Sequence, residues 1–237
     1  MRARRVRALL MGGQACVLYG AAEFSRDTDF AILASADNLD RLRKALGDLR
    51  AVAIAVPPLT AAYLRRGHAV HFRCRHPDAA GMRIDVMSRM RGVDAFTHLW
   101  KRRTTIELTD RTMCDLLSLP DLVQAKKTQR DRDWPMIRRL LEASYFEHRA
   151  KPTAALVRFW LRELRTPALL VEVAGTYAGA CRRLIARRPL LALAASGRVD
   201  DLERGLAAEE AEERARDRQY WTPLRRELER LRHAKPV

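Results

Sequence analysis

The chain contains 237 residues, of which 48% are hydrophobic and 31% charged, and its 45 lysine and arginine residues against 29 acidic ones give a formal net charge of +16. This apolar content can supply the core of one large domain or two small ones, and it excludes an intrinsically disordered chain. The four cysteines are far apart and share no C-x-x-C spacing, which favours free thiols in a reducing compartment over a zinc knuckle or a disulfide scaffold. No apolar run approaches the roughly 18 residues of a membrane span.

The amino-terminal segment is basic and leads into a short apolar run. That run, Ala8–Met11, is broken at once by Gly12 and Gly13, and no small-residue cleavage site follows it. The segment therefore does not resemble a secretory signal peptide. We expect a cytoplasmic protein with no membrane partner.

Short strand-like and helix-like runs alternate over residues 1–108. The predicted strands are Val6–Met11, Asp29–Leu33, Ala51–Val56, His68–Arg73 and Met82–Met87. The predicted helices between them are Gln14–Gly20, Leu39–Leu49 and Leu59–Arg66. Turn residues at 76–81 predict that the last two strands form a hairpin. The fold class predicted from these runs is α+β, a mixed sheet with flanking helices.

From residue 109 onward, apolar residues recur at helical spacing, and prolines fall near the proposed helix starts or breaks. The predicted helices are 119–130, 133–148, 152–164, 167–185, 199–217 and 221–233. We therefore predict two domains, an α+β domain at 1–108 and an all-helical domain at 109–237.

Positive charge is shared by the two halves. Residues 1–108 hold 19 basic and 10 acidic residues, and residues 109–237 hold 26 and 19. A basic surface raises the local concentration of polyanions, which makes nucleic acid a candidate partner. Arginine-rich composition and solubility are the alternative explanation. Only 6% of the residues are aromatic, so the sequence shows no base-stacking platform.

The most informative segment joins a Gly-Gly turn to a pair of aspartates. An apolar strand ends at Gly12 and Gly13, whose backbone can approach a phosphate closely at the start of a helix. Asp27 and Asp29 then open the next strand. Because residues two apart in a strand face the same side, both carboxylates converge on one place. Oxygen ligands at this spacing suit Mg²⁺, held together with substrate phosphates.

A third carboxylate, Asp85, lies in the middle of an apolar strand, where an unpaired charge is costly. If its strand lies beside that of Asp29, three carboxylates can surround two metal ions and support in-line nucleotidyl transfer. The alternative is a core carboxylate paired with Arg83 or Arg89. Taken singly, the glycine pair also fits an ordinary turn, and Asp27 and Asp29 fit a solvated cap.

These residues together resemble the nucleotidyltransferase superfamily related to DNA polymerase β. Gly12-Gly13, Asp27-x-Asp29 and Asp85 match the superfamily's signature in type, order and approximate spacing. The Ser25-Arg26-Asp27-Thr28-Asp29 run resembles the abortive-infection branch, which includes toxin nucleotidyltransferases. The resemblance is strong over residues 8–33 and 82–88.

The resemblance implies a site and its ligands. Asp27, Asp29 and Asp85 would be the catalytic metal ligands for Mg²⁺, in a two-metal site. Nucleotide-binding positions would be Gly12, Gly13, Ser25, Arg26, Lys126, Lys127 and Asp133, with Lys126 on the triphosphate and Asp133 orienting it. The two lysines also fit an exposed basic face.

The expected reaction is transfer of a nucleoside monophosphate from a nucleoside triphosphate to an acceptor hydroxyl. RNA of the tRNA type is the expected acceptor, and a protein hydroxyl or a small molecule such as an aminoglycoside is the alternative. The branch also implies a toxin with an antitoxin partner. Relatives often carry an arginine where this chain has Glu23, which motivates a second hypothesis, a degenerate scaffold that binds nucleic acid or a partner protein. The histidines have no metal-ligand spacing such as H-E-x-x-H.

Overall fold

A mixed sheet of seven strands forms the centre of the computed structural model, which describes residues 1–234. The strands are β1 (Ala8–Met11), β2 (Asp27–Ile32), β3 (Val52–Ala53), β4 (Val70–Arg73), β5 (Arg83–Met87), β6 (Thr104–Glu107) and β7 (Met113–Leu116). Their order in the sheet is β3-β4-β5-β2-β1-β7-β6. The β2–β5 and β1–β7 pairs are parallel, and the other neighbours are antiparallel. The predicted mixed sheet and the predicted β4–β5 hairpin are confirmed.

Helices account for most of the remaining chain. They are α1 (Gly12–Leu18), α2 (Ala36–Asp48), α3 (Ala61–Arg66), α4 (Phe96–Lys101), α5 (Leu119–Lys126), α6 (Asp133–His148), α7 (Ala154–Glu163), α8 (Pro167–Thr176), α9 (Ala178–Leu184), α10 (Leu191–Ala195) and α11 (Val199–Ala234). None of the helices in the described part of the chain combines the length and apolar character needed to cross a membrane.

Helix α2 shows how the sheet acquires its core. The Ser35 hydroxyl accepts a hydrogen bond from the Asn38 backbone N–H, which caps the helix start. Leu39, Leu42 and Leu46 recur at helical spacing and are buried against strand residues of β1, β2, β4 and β5. This packing holds the sheet that carries the candidate site.

Two units divide the chain. The first consists of Met1–Lys126 together with α11 from Gln219 onward, and the second is Lys127–Arg218. This division differs from the predicted boundary between residues 108 and 109. The prediction of an all-helical chain after residue 109 is wrong at β7, which pairs in parallel with β1. Four residues of mixed polarity are too few to show the alternation that identifies a strand.

The second unit and the end of the chain also correct individual helices. The predicted helix 167–185 is two helices, α8 and α9, which meet at Tyr177. The predicted helices 199–217 and 221–233 are one helix, α11, which continues through Pro223. A proline inside a helix removes one backbone hydrogen bond. Buried leucines on both sides of Pro223, Leu206 and Leu224, keep the helix packed, so the helix does not end there.

Candidate active site

The Gly12–Gly13 turn lies directly against the aspartate motif. Strand β1 ends at Met11, and Gly12 opens α1 with φ of 67°. A Cβ on Gly12 would lie 1.9 Å from the Asp29 Oδ2 atom, and one on Gly13 would lie 2.3 Å from the Ser25 Oγ atom. Both distances are far below a van der Waals contact. The two glycines are therefore required by the close approach of β2 and the segment that leads into it.

The three predicted carboxylates lie on neighbouring strands. Asp27 and Asp29 are the first and third residues of β2, so they share a face of the sheet. Strand β5 runs parallel beside β2, with Asp85 in register with Asp29 and Arg83 in register with Asp27. The condition stated from the sequence, that the strand of Asp85 lies beside that of Asp29, is met. The Asp85 side chain is 15% exposed.

Asp85 is held by two groups that belong to its own strand and to β4. The Arg83 Nε atom donates to Asp85 Oδ1 at 2.9 Å, and His71 Nδ1 lies 2.8 Å from the same oxygen. Burial raises the pKa of Asp85, but hydrogen bonds from His71 and Arg83 outweigh it, so this pKa lies below its usual range. When His71 carries its proton on Nδ1, it donates a hydrogen bond to the Asp85 carboxylate, and Arg83 donates to the same carboxylate.

Asp27, Asp29 and Asp85 form what we call the acidic corner, and Arg83 is a positively charged side chain beside them. Its hydrogen bond to Asp85 raises the pKa of its guanidinium, burial lowers it, and the nearby charges of Asp85, Asp27 and Asp29 raise it further. One arginine therefore sits in the field of all three carboxylates. It partly offsets the repulsion that three acids on two adjacent strands would otherwise create.

The acidic corner has the donor chemistry for a hard cation. Three carboxylates on two adjacent strands are the oxygen ligands that Mg²⁺ prefers. Within residues 1–234, no three histidine, cysteine, aspartate or glutamate side chains are grouped closely enough to hold a metal ion in their present orientations. The Oδ1 atom of Asp85 is in contact with Arg83 and His71.

The loop before β2 completes the surroundings of the aspartates. The Ser25 hydroxyl donates to the Asp27 backbone oxygen at 3.2 Å, and the Gln14 side-chain amide donates to the Ser25 backbone oxygen at 2.7 Å. These bonds fix the loop to α1. Arg26 and Phe24 are exposed beside it, Phe24 to 74%.

The predicted residues beyond the sheet have protein partners. Lys126, the last residue of α5, is partly buried. Lys127 is only 8% exposed and lies 2.7 Å from Glu163 Oε2. Asp133 is 2% exposed and accepts hydrogen bonds from the Thr128 hydroxyl at 2.5 Å and from Arg130 Nε at 2.7 Å. Lys127 and Asp133 belong to the second unit. Their contact with a triphosphate stays a prediction.

Sequence reasoning named Arg83 as one of two candidate partners of Asp85, and the structure selects it over Arg89. His71 was missed as a site residue. Its signal lay in the predicted hairpin, because the antiparallel register of β4 and β5 places His71 directly opposite Asp85.

No protein-family model matches the chain, and no curated protein matches it at a significant level.

Proposed function

We propose that the chain is a metal-dependent nucleotidyltransferase that transfers a nucleoside monophosphate from a nucleoside triphosphate to an acceptor hydroxyl. The proposal rests on one observation, the arrangement of Gly12, Asp29 and Asp85. Gly12 packs on Asp29, and Asp29 lies in register with Asp85 on the next strand. The order of glycine turn, aspartate pair and third carboxylate is that of the nucleotidyltransferase superfamily, whose fold we propose for the first unit.

Each group has a role in the proposed reaction. Asp27, Asp29 and Asp85 would be the ligands of Mg²⁺, with Asp85 free to do so only when it is released from Arg83 and His71. The metal would supply positive charge to the phosphates and to the leaving pyrophosphate. Backbone N–H groups of Gly12 and Gly13 contact the phosphates. The acceptor oxygen attacks the α-phosphorus, the bond to pyrophosphate breaks, and Asp85 takes the hydroxyl proton.

The net charge of +16 favours a polyanionic acceptor, and RNA of the tRNA type is the acceptor we propose. Action as a toxin held inactive by an antitoxin partner, in the cytoplasm, belongs to the same proposal and rests on the resemblance of the Ser25–Asp29 run to the abortive-infection branch. A protein hydroxyl and a small molecule are the competing acceptors.

The test measures incorporation of each α-³²P-labelled nucleoside triphosphate into total RNA and into protein, with Mg²⁺ and with EDTA. We expect label that requires Mg²⁺ and that falls at least 1,000-fold in D27N/D29N, because that variant loses both carboxylates of β2. A matched control is D37N/D40N, which removes two acids from α2. Transfer retained by folded D27N/D29N protein would overturn the assignment.

A second candidate function is favoured by the ion pairs of Asp85. A carboxylate already bonded to Arg83 and His71 fits a scaffold that has lost its chemistry and binds RNA or a partner protein. This candidate predicts RNA binding in EDTA with no nucleotide preference and no label in any fraction. Metal-dependent label would exclude it.

A further inference from the structure

Charge is unevenly distributed within the second unit. Residues 127–190, from the end of α5 to the start of α10, contain 14 lysine and arginine residues and six acidic ones. Residues 191–218, which include the first part of α11, contain five basic and eight acidic residues. The excess of positive charge in the second unit therefore resides in residues 127–190, in α7, α9 and the segments that connect the helices.

The six acids of residues 127–190 are all engaged by other groups. The contacts are Asp131 with Arg214, Asp133 with Thr128 and Arg130, Glu142 with Thr166, Glu147 with His148, Glu163 with Lys127, and Glu172 with Tyr145. Only three of these contacts neutralise an arginine or a lysine, and each of those cations lies outside α7–α9. The acids of this segment thus leave the arginines of α7 and α9 without counter-charge.

Five exposed arginines define what we call the arginine cluster: Arg158 and Arg162 on α7, Arg182 and Arg183 on α9, and Arg187 just after α9. Helices α7 and α9 pack against each other. In the part of the chain that the structure describes, no carboxylate lies within ion-pair distance of any of these five guanidinium groups. Arg158 and Arg162 are one helical turn apart and so lie on one side of α7.

We propose that the arginine cluster binds the phosphate backbone of RNA. The inference rests on the proposed function, in which RNA is the acceptor, and it names the surface of the second unit that holds it. Guanidinium groups offer paired donors that match phosphate oxygens, and they stay charged at every physiological pH. Five of them without carboxylate partners are available to phosphate groups, and a bound polyanion releases the counterions that otherwise compensate their charge.

The composition of the surface favours RNA over a membrane. A helix that lies on a lipid surface inserts large apolar side chains beside its basic ones. In the second unit, the large hydrophobic side chains that the described residues expose are Phe146 on α6 and Val199 on α11. Neither belongs to α7 or α9. The cluster thus offers electrostatic contacts alone, which suits a phosphate backbone.

The experiment measures binding of fluorescein-labelled total tRNA by anisotropy, in EDTA and without nucleotide, over a series of NaCl concentrations. The test variant is R158Q/R162Q/R182Q/R183Q. The control variant is R43Q/R198Q/R204Q/R216Q, which removes four exposed arginines that already have carboxylate partners. Both variants lower the net charge equally. Circular dichroism and thermal unfolding establish that each is folded.

We expect the test variant to bind tRNA at least tenfold more weakly than the wild type at 0.1 M NaCl, and the control variant to stay within threefold. The slope of log affinity against log salt should fall by about three in the test variant alone, because each lost phosphate contact removes about 0.7–0.9 from it. Equal losses in the two variants, or no loss in either, would overturn the proposal. Cluster-dependent binding to phosphatidylserine vesicles in the absence of tRNA binding would also overturn it.

The outcome is separable from that of the transferase assay. The D27N/D29N variant should still bind tRNA, and no more weakly than the wild type, since it keeps the arginine cluster and loses two negative charges. Cluster-dependent tRNA binding by a protein that transfers no label would overturn the proposed enzyme and support the cluster. Transfer to RNA that is unchanged in the test variant would overturn the cluster and support the enzyme.

Discussion

The chain contains two Asp-x-Asp pairs, each with an arginine directly before an aspartate, and they have different structures. Asp27 and Asp29 lie in a strand, where a spacing of two puts both carboxylates on one face. Asp133 is the first residue of α6 and Asp131 lies in the turn just before it, and their side chains have different surroundings. The Asp131 side chain is 96% exposed and Asp133 is 2% exposed. The same pattern therefore places two carboxylates on one face of a strand. At the start of a helix, it leaves one carboxylate exposed and buries the other.

Among variants that keep both Asp-x-Asp pairs or change only the second of them, the largest effect is expected at Gly12, the glycine that contacts Asp29. We expect G12A to lower nucleotidyl transfer at least 100-fold, because its Cβ would displace the Asp29 carboxylate. The matched control is G20A. Gly20 has a similar φ of 73° but has open space around it, so G20A carries only the backbone strain, about 1–2 kcal/mol. The checks are the labelled-triphosphate assay and urea unfolding. Equal transfer by G12A and G20A would show that the position of the Asp29 carboxylate beside Gly12 is not needed for nucleotidyl transfer.

Substitutions in the second pair, Asp131 and Asp133, test the free energy of unfolding. We expect D133N to lower the free energy of unfolding by about 2 kcal/mol, because a buried carboxylate loses its charged hydrogen bonds to Thr128 and Arg130. D131N, two residues away and exposed, should change it by less than about 0.5 kcal/mol. Urea unfolding at pH 7 measures both. A D133N variant that is as stable as D131N but inactive would contradict this expectation and support the predicted role of Asp133 in orienting the triphosphate.

The smallest expected effect tests whether burial determines how much a hydrogen-bonded carboxylate contributes to the free energy of unfolding. Glu227 on α11 bonds the fully buried His68 at 2.7 Å and Arg66 at 3.0 Å, but its own side chain is 22% exposed. We expect E227Q to cost about 1 kcal/mol, less than D133N. The hydrogen bond from His68 and the charges of Arg66 and His68 lower the pKa of Glu227 below its ordinary 4.5, although burial opposes them.

The sign of the pH dependence follows from that lowered pKa. The stabilisation by Glu227 is fully present above about pH 4.5 and is lost as the pH falls through the lower folded-state pKa. Urea unfolding from pH 7 to pH 3 should therefore show the wild type converging on E227Q. The exposed neighbour Glu229 provides the control variant, E229Q. A difference between wild type and E227Q that persists at pH 3 would contradict the expectation.

Sequence reasoning located the sheet residues of the site because strand geometry fixes them. Period-two alternation was enough to place Asp27 and Asp29 on one face, but it left open whether the strand of Asp85 lies beside theirs, which the register of β2 and β5 shows. The contact of Asp85 with His71 was not predicted, because it depends on the exact register of β4 and β5.

Other features depend on contacts that no local pattern records. Lys127 is buried by Glu163, which lies 36 positions later on α7. Strand β7 exists because β6 and β1 pair with it on its two sides, since its own four residues carry no strand pattern. Pro223 lies inside α11 because leucines on either side of it are buried elsewhere in the molecule.

The discontinuity of the first unit has a consequence for synthesis of the protein. A ribosome synthesises all seven strands before it reaches residue 127, but the unit also requires α11 from Gln219 onward. Tyr220 packs at Gly67 and Glu227 bonds His68, so these contacts wait until the second unit has been made. The nascent sheet therefore leaves the ribosome with the Gly67–His68 region uncovered. It acquires its last packing partner only when translation of the chain is nearly complete.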